Sequence, residues 1–73
     1  MIKLTRARYM DNEDPWYQYL NPFHIATVEQ CDWYIGDKKI SGSQIYTITS
    51  SCYNVEEPVE KVLELIAAAR RGS

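Results

Sequence analysis

Ile2 and Leu4 alternate with Lys3 and Thr5 at the start of the chain. This is the period-two pattern of a half-buried strand and predicts a first strand over residues 2–7. Asp11-Asn12-Glu13-Asp14-Pro15 gathers turn formers and a proline that cannot donate to a ladder, which predicts a loop. Trp16-Tyr17-Gln18-Tyr19-Leu20 has high β propensity and is closed by Asn21-Pro22, so a second strand should pair back on the first. Residues 24–35 are again strand-like, with Ile25, Thr27, Cys31, Trp33 and Ile35 on one side and Ala26, Val28 and Tyr34 on the other. That run exceeds the usual strand length, so a bulge or bend is expected near Glu29-Gln30. Gly36-Asp37-Lys38-Lys39 and Ser41-Gly42-Ser43 both read as turns, with Ile40 between them. The β-branched residues Ile45, Thr47, Ile48 and Thr49 predict a central strand over residues 44–50, and Cys52-Tyr53-Asn54-Val55 either extends it or pairs separately.

The last segment changes period. Val59, Val62, Leu63 and Ile66 form one stripe at helical spacing with Leu65 and Ala69 at its edge, while Glu60, Lys61, Glu64 and Ala68 face away. Pro58 suits the first helical position, Glu56, Glu57 and Glu60 favour the positive end of the helix dipole, and Arg70 and Arg71 precede Gly72 at the other end. The expected architecture is α+β: one small domain over residues 1–73, an antiparallel sheet of four or five strands with the C-terminal helix on one face. Val59, Val62, Leu63 and Ile66 are its expected core contacts.

Length and charge narrow the function classes. A chain of 73 residues has room for one core. No apolar run approaches a membrane span, and the opening Met1-Ile2-Lys3-Leu4-Thr5-Arg6 is too polar for a signal peptide, so a cytoplasmic location is expected. Two cysteines, Cys31 and Cys52, are too few for a disulfide scaffold. The net charge of −2 argues against nonspecific binding to nucleic acid.

Catalytic and metal-binding patterns are weak. The lone His24 has no nucleophile elbow nearby, and with Cys31 and Cys52 it lacks the spacing of a zinc site. Asp11, Glu13 and Asp14 read as a solvated acidic loop, and three glycines form no phosphate loop. No catalytic residue, metal ligand or cofactor is therefore expected.

The aromatic supply is the strongest signal. Nine rings exceed what a core of this size can enclose, and Trp16-Tyr17-Gln18-Tyr19 places three of them within four residues. Tyr and Trp are enriched at interface hot spots, so Trp16, Tyr17, Tyr19, Trp33 and Tyr34 are the candidate protein-interface residues. A single helix covers one sheet face, so a homodimer or larger symmetric oligomer is expected, through the outer sheet face or residues 16–19. The alternative cover for that face is a long loop folded back over it.

Three stretches together resemble the FlbD family of short proteins from flagellar operons, with relatives among phage and prophage genes. They are Met1-Ile2-Lys3-Leu4-Thr5-Arg6, then Asn21-Pro22-Phe23-His24-Ile25-Ala26-Thr27-Val28-Glu29, then Thr47-Ile48-Thr49 followed by Tyr53-Asn54-Val55-Glu56-Glu57-Pro58-Val59-Glu60-Lys61-Val62. The chain departs from the family pattern in the long segment over residues 7–17, in the lengthened stretch over residues 30–43, and in Ser50-Ser51-Cys52 where an Asn-Gly hairpin is usual. The resemblance implies no enzymatic residues. It implies a non-enzymatic interaction module, with a phage or prophage adaptor or modulator of a host or phage protein as the leading expectation. A flagellar motor-associated protein and a small nucleic-acid-binding regulator using Lys3, Arg6, Arg8, Lys38 and Lys39 are the alternatives. An enzyme would require His24 beside Cys31 or Cys52 in a cleft.

Overall fold

The computed structural model describes residues 1–10 and 12–72. The elements follow in the order β1 (Ile2–Thr5), β2 (Tyr17–Leu20), one turn of 3-10 helix (Pro22–His24), β3 (Ile25–Ile35), β4 (Lys38–Thr47), β5 (Cys52–Val55) and α1 (Val59–Arg71). The class is α+β with one C-terminal helix, but the strands divide into two antiparallel sheets, β1-β2 and β3-β4-β5, rather than forming a single sheet. An isolated bridge between Arg6 and Val55 links the two. The first strand is shorter than expected for the same reason: after Thr5 the chain leaves β2 and runs beside β5 instead.

The strands β3 and β4 make one long hairpin in a molecule measuring 40 × 21 × 19 Å. Its turn is Gly36-Asp37, with Gly36 at φ 58° in the left-handed region that glycine enters without strain. A positive φ at the first central residue but not the second is the type II′ geometry, whose twist matches paired strands. Ser41-Gly42-Ser43, expected as a second turn, lies inside β4. A Cβ at Gly42 would collide with the Val55 carbonyl and sit 2.7 Å from the Trp33 ring, so this glycine marks a close approach within a strand. The irregularity in β3 falls between Ile25 and Thr27 rather than near Glu29-Gln30, leaving residues 27–35 regular. Beyond Thr47 the strand ends in a turn with Ser50 at φ 67°, so Ile48 and Thr49 are turn residues and β5 is a separate strand.

The core is aliphatic: Ile2, Leu4, Leu20, Ile45, Val55, Val62 and Ile66 are buried, with Ile25, Val28, Tyr53, Leu65 and Ala69 packed against them. The helix stripe is therefore rotated from the expected one. Val62 and Ile66 point inward and Val59 is half-buried, but Leu63 is 52% exposed. At about 100° per residue, a stripe flanked by Leu65 and Ala69 turns position 63 out to the side. Pro58 stands one residue before the helix, where its carbonyl accepts from Lys61 and Val62.

One polar joint holds the two sheets together. The Glu57 carboxylate accepts from the Thr5 amide at 2.9 and 3.0 Å and from its hydroxyl at 2.9 Å. Ser43, buried in the core, donates to the Glu57 carbonyl at 2.7 Å, and the backbones pair through Glu56 N–H to Thr5 and Ala7 N–H to Asn54. Arg8 grips Glu56 through two nitrogens at 2.6 and 2.9 Å, a bidentate pair that raises the guanidinium pKa further above its ordinary value. Glu56 and Glu57 thus act as clamps between distant segments rather than only as charges near a helix start.

Candidate functional site

The aromatic residues singled out in the sequence fall into three places. On β2, Tyr17 and Tyr19 occupy the outward face of the β1-β2 ribbon, because the alternate positions Ile2, Leu4 and Leu20 are buried. Tyr19 is 56% exposed. Lys3 shares that face, its ammonium 4.1 Å from the centre of the Tyr17 ring, a contact that fixes the ring by cation–π attraction while leaving its far side open. Trp16, 62% exposed, lies just before the strand and lines a cleft of about 270 Å³ with Arg6, Ala7, Arg8, Tyr9 and Glu13. The Trp16 carbonyl accepts from the Arg6 amide at 2.7 Å, which ties the ring's backbone to the end of β1. Within the adjoining loop, Glu13 accepts from the amides of Tyr9 and Met10, while Asp11 lies outside the described residues.

Trp33 plays a different part. It is half-buried on the sheet face away from α1, its ring close against Gly42, and its indole donates to the Arg8 carbonyl at 2.8 Å. Tyr9 packs against it with ring centroids 6.0 Å apart, and Asn54 donates to the Tyr9 hydroxyl at 3.3 Å. The long segment after β1 therefore folds back over part of the face that the helix leaves bare. Trp33 fastens that cover and is removed from any ring cluster on β2. Tyr34, next to it in sequence, projects from the opposite face near the hairpin tip and is 65% exposed.

Other candidate groups are dispersed. His24 is exposed at the end of the 3-10 turn, where Met1, Tyr19, Thr47 and Tyr53 share its cleft; neither cysteine does. Cys31 pairs across from Gly42 and Cys52 from Tyr46, two strands and four register positions apart, and both are free thiols. Among the described residues no group of three His, Cys, Asp or Glu side chains could hold a metal ion. No family model matches the chain, and no curated protein or solved structure does either.

The five cations considered for nucleic-acid binding do not form one surface. Arg8 is committed to Glu56, and Lys39 lies 3.6 Å from Asp32 at the hairpin tip beside Lys38. Lys3 and Arg6 alone stand at the ribbon. No helix among the described residues is long and apolar enough to cross a membrane. Sequence reasoning overlooked Lys3 as a partner of Tyr17, Arg6 as a wall of the Trp16 cleft, and the exposed position of Leu63. The first depends on register: Lys3 and Tyr17 share a face because Lys3 pairs with Tyr19, and a slip of one residue would separate them.

Proposed function

We propose that the protein is a non-enzymatic interaction module that binds a protein partner through the outward face of the β1-β2 ribbon. The observation that carries this reading is the set of exposed rings Trp16, Tyr17 and Tyr19 beside Lys3 and Arg6 on a two-stranded platform. Rigid amphipathic rings present contact area at low entropic cost, and flanking cations favour a partner segment that offers carboxylates beside apolar side chains. The FlbD-like resemblance supports placing the partner among phage or host proteins, with the module acting as an adaptor or modulator within the cytoplasm.

Affinity capture from the source cell tests this, using the parent protein and the variants Trp16→Ala and Tyr19→Ala. Both side chains are more than half exposed, so their loss leaves the core intact. The reading expects a captured protein that survives added salt and is weakened by each variant by about 2 kcal/mol, roughly thirtyfold in Kd. Captured nucleic acid that is shed steeply with rising salt, or a partner indifferent to both variants, would contradict it.

A further inference from the structure

The three-stranded sheet has β3 as an outer strand, and among the described residues no strand lies on its far side. That edge is eleven residues long and carries neither proline nor lysine, two of the devices by which natural proteins blunt exposed edges; its charges are Glu29 and Asp32. Its one irregularity sits at the end, leaving residues 27–35 straight. In a two-residue hairpin the closing pair, Ile35 and Lys38, exchanges backbone hydrogen bonds. Ile35, Trp33, Cys31 and Glu29 therefore bond inward to β4, and Tyr34, Asp32, Gln30 and Val28 direct their N–H and C=O groups outward.

We infer that the protein forms a homodimer by antiparallel pairing of β3 with β3 of a second copy, about a two-fold axis at Cys31. Position 31 is the midpoint of the regular run, so this register alone uses all of it. It places Val28 opposite Tyr34 of the second copy and Gln30 opposite Asp32, so apolar meets apolar and amide meets carboxylate, while Glu29 faces Trp33 across the axis. Moving the axis to position 32 would set two aspartates face to face, which is unfavourable. The same register matches outward-pointing backbone groups with one another and makes Cys31 with Cys31 a non-hydrogen-bonded pair.

A second observation supports this occupant. Along α1, Leu63 lies on the flank between Val59, which shares a cleft with Gln30, and Arg70, which reaches the Pro22 carbonyl and the Phe23 ring just before β3. Leu63 is exposed on that flank of the helix, and Tyr34 projects from the sheet face that α1 covers. The pairing sets Tyr34 of the second copy against Val28, on the face that carries α1, and covers a ring that is otherwise left in water. The self-association expected from the sequence is thus assigned to the sheet edge and not to residues 16–19. It concerns a surface apart from the β1-β2 ribbon, so loss of the dimer and loss of partner capture are separately measurable.

Light scattering across micromolar concentrations should give a dimer mass for the parent. Gln30→Pro removes one outward amide and spares the bonds to β4, and should give a folded monomer by circular dichroism. Tyr34→Lys alters a mostly exposed side chain and should weaken dimerisation at least tenfold, which keeps the test valid if the proline variant fails to fold. Oxidation by an added diazene reagent, which takes up two electrons and two protons from a thiol pair, should cross-link two copies. The cross-link should vanish with Cys31→Ser and persist with Cys52→Ser, because a non-hydrogen-bonded antiparallel pair brings Cα atoms within disulfide reach. A parent that stays monomeric at every concentration overturns the proposal, as does a dimer that survives both Gln30→Pro and Tyr34→Lys or cross-links through Cys52.

Discussion

The two edges of the three-stranded sheet receive opposite treatment. On the β5 side, backbone from Thr5 to Ala7 pairs with Asn54, Val55 and Glu56, the Glu57 carboxylate caps Thr5, and Arg8 clamps Glu56. On the β3 side, a longer strand is left without a neighbour. The difference shows that this small chain concentrates polar contacts at the junction where two sheets must be held in register over an aliphatic core. The other edge keeps its backbone groups available, with Tyr34 exposed on it. Closure on one side fixes the fold, and openness on the other offers a contact.

The comparison can be broken most severely through the core shared by both sides. Ile66→Ala should cost about 2–5 kcal/mol, whereas Leu63→Ala, on the open side of the same helix, should cost less than about 1 kcal/mol in the monomer, as chemical denaturation of each variant would show. Equal losses would mean that Leu63 is enclosed within a single chain. Next in size is Gly42→Ala, which forces a methyl into the Val55 carbonyl and the Trp33 ring; about 1–3 kcal/mol of stability should disappear. A neutral result would show that β5 and Trp33 do not approach β4 this closely.

That glycine also shows where the sequence was legible and where it was not. The strand and helix periods were readable because one face of each element is buried, as with Ile2 and Leu4 or Val62 and Ile66. Ser41-Gly42-Ser43 looked like a turn because small residues serve turns and crowded strand positions alike; only the distant Val55 carbonyl distinguishes the two. Leu63 and Leu65 flank one helical stripe on either side, and which of them enters the core depends on where the sheets lie. The number of rings required several of them at the surface without saying which, and Trp33 was indistinguishable from Trp16, Tyr17 and Tyr19 until its indole was seen to meet the Arg8 carbonyl. The split into two sheets follows from where the chain goes after Thr5, and the loop composition carries no direction.

Smaller effects sharpen the contrast between the edges. Glu57→Gln keeps the shape of the joint but removes its charge-assisted bonds to Thr5, and should lower stability by about 1–2 kcal/mol with dimerisation through β3 retained. Loss of both together would mean that the edges are not independent. The smallest effect is expected from acid at the open edge. The Asp32 pKa lies below its ordinary value, chiefly through the hydrogen bond from Gln30, with Ser41 and Lys39 contributing. A lowered folded-state pKa gives stability that is present above the ordinary carboxyl range and lost as pH falls through the lowered value. The parent should therefore lose slightly more melting temperature than Asp32→Asn between pH 6 and about pH 3. Identical acid responses would remove Asp32 from the account.

Amide hydrogen exchange at low and high protein concentration tests the contrast most directly, because it reads both edges residue by residue in one sample. The amides of Ala7 and Glu56 should be protected at every concentration, since their acceptors lie within the chain. Those of Val28, Gln30, Asp32 and Tyr34 should exchange freely on dilution and become protected as concentration rises, while Glu29, Cys31 and Trp33 stay protected throughout. Concentration-independent protection of the outward β3 amides, or their free exchange at every concentration, would contradict an open edge that closes on a second copy.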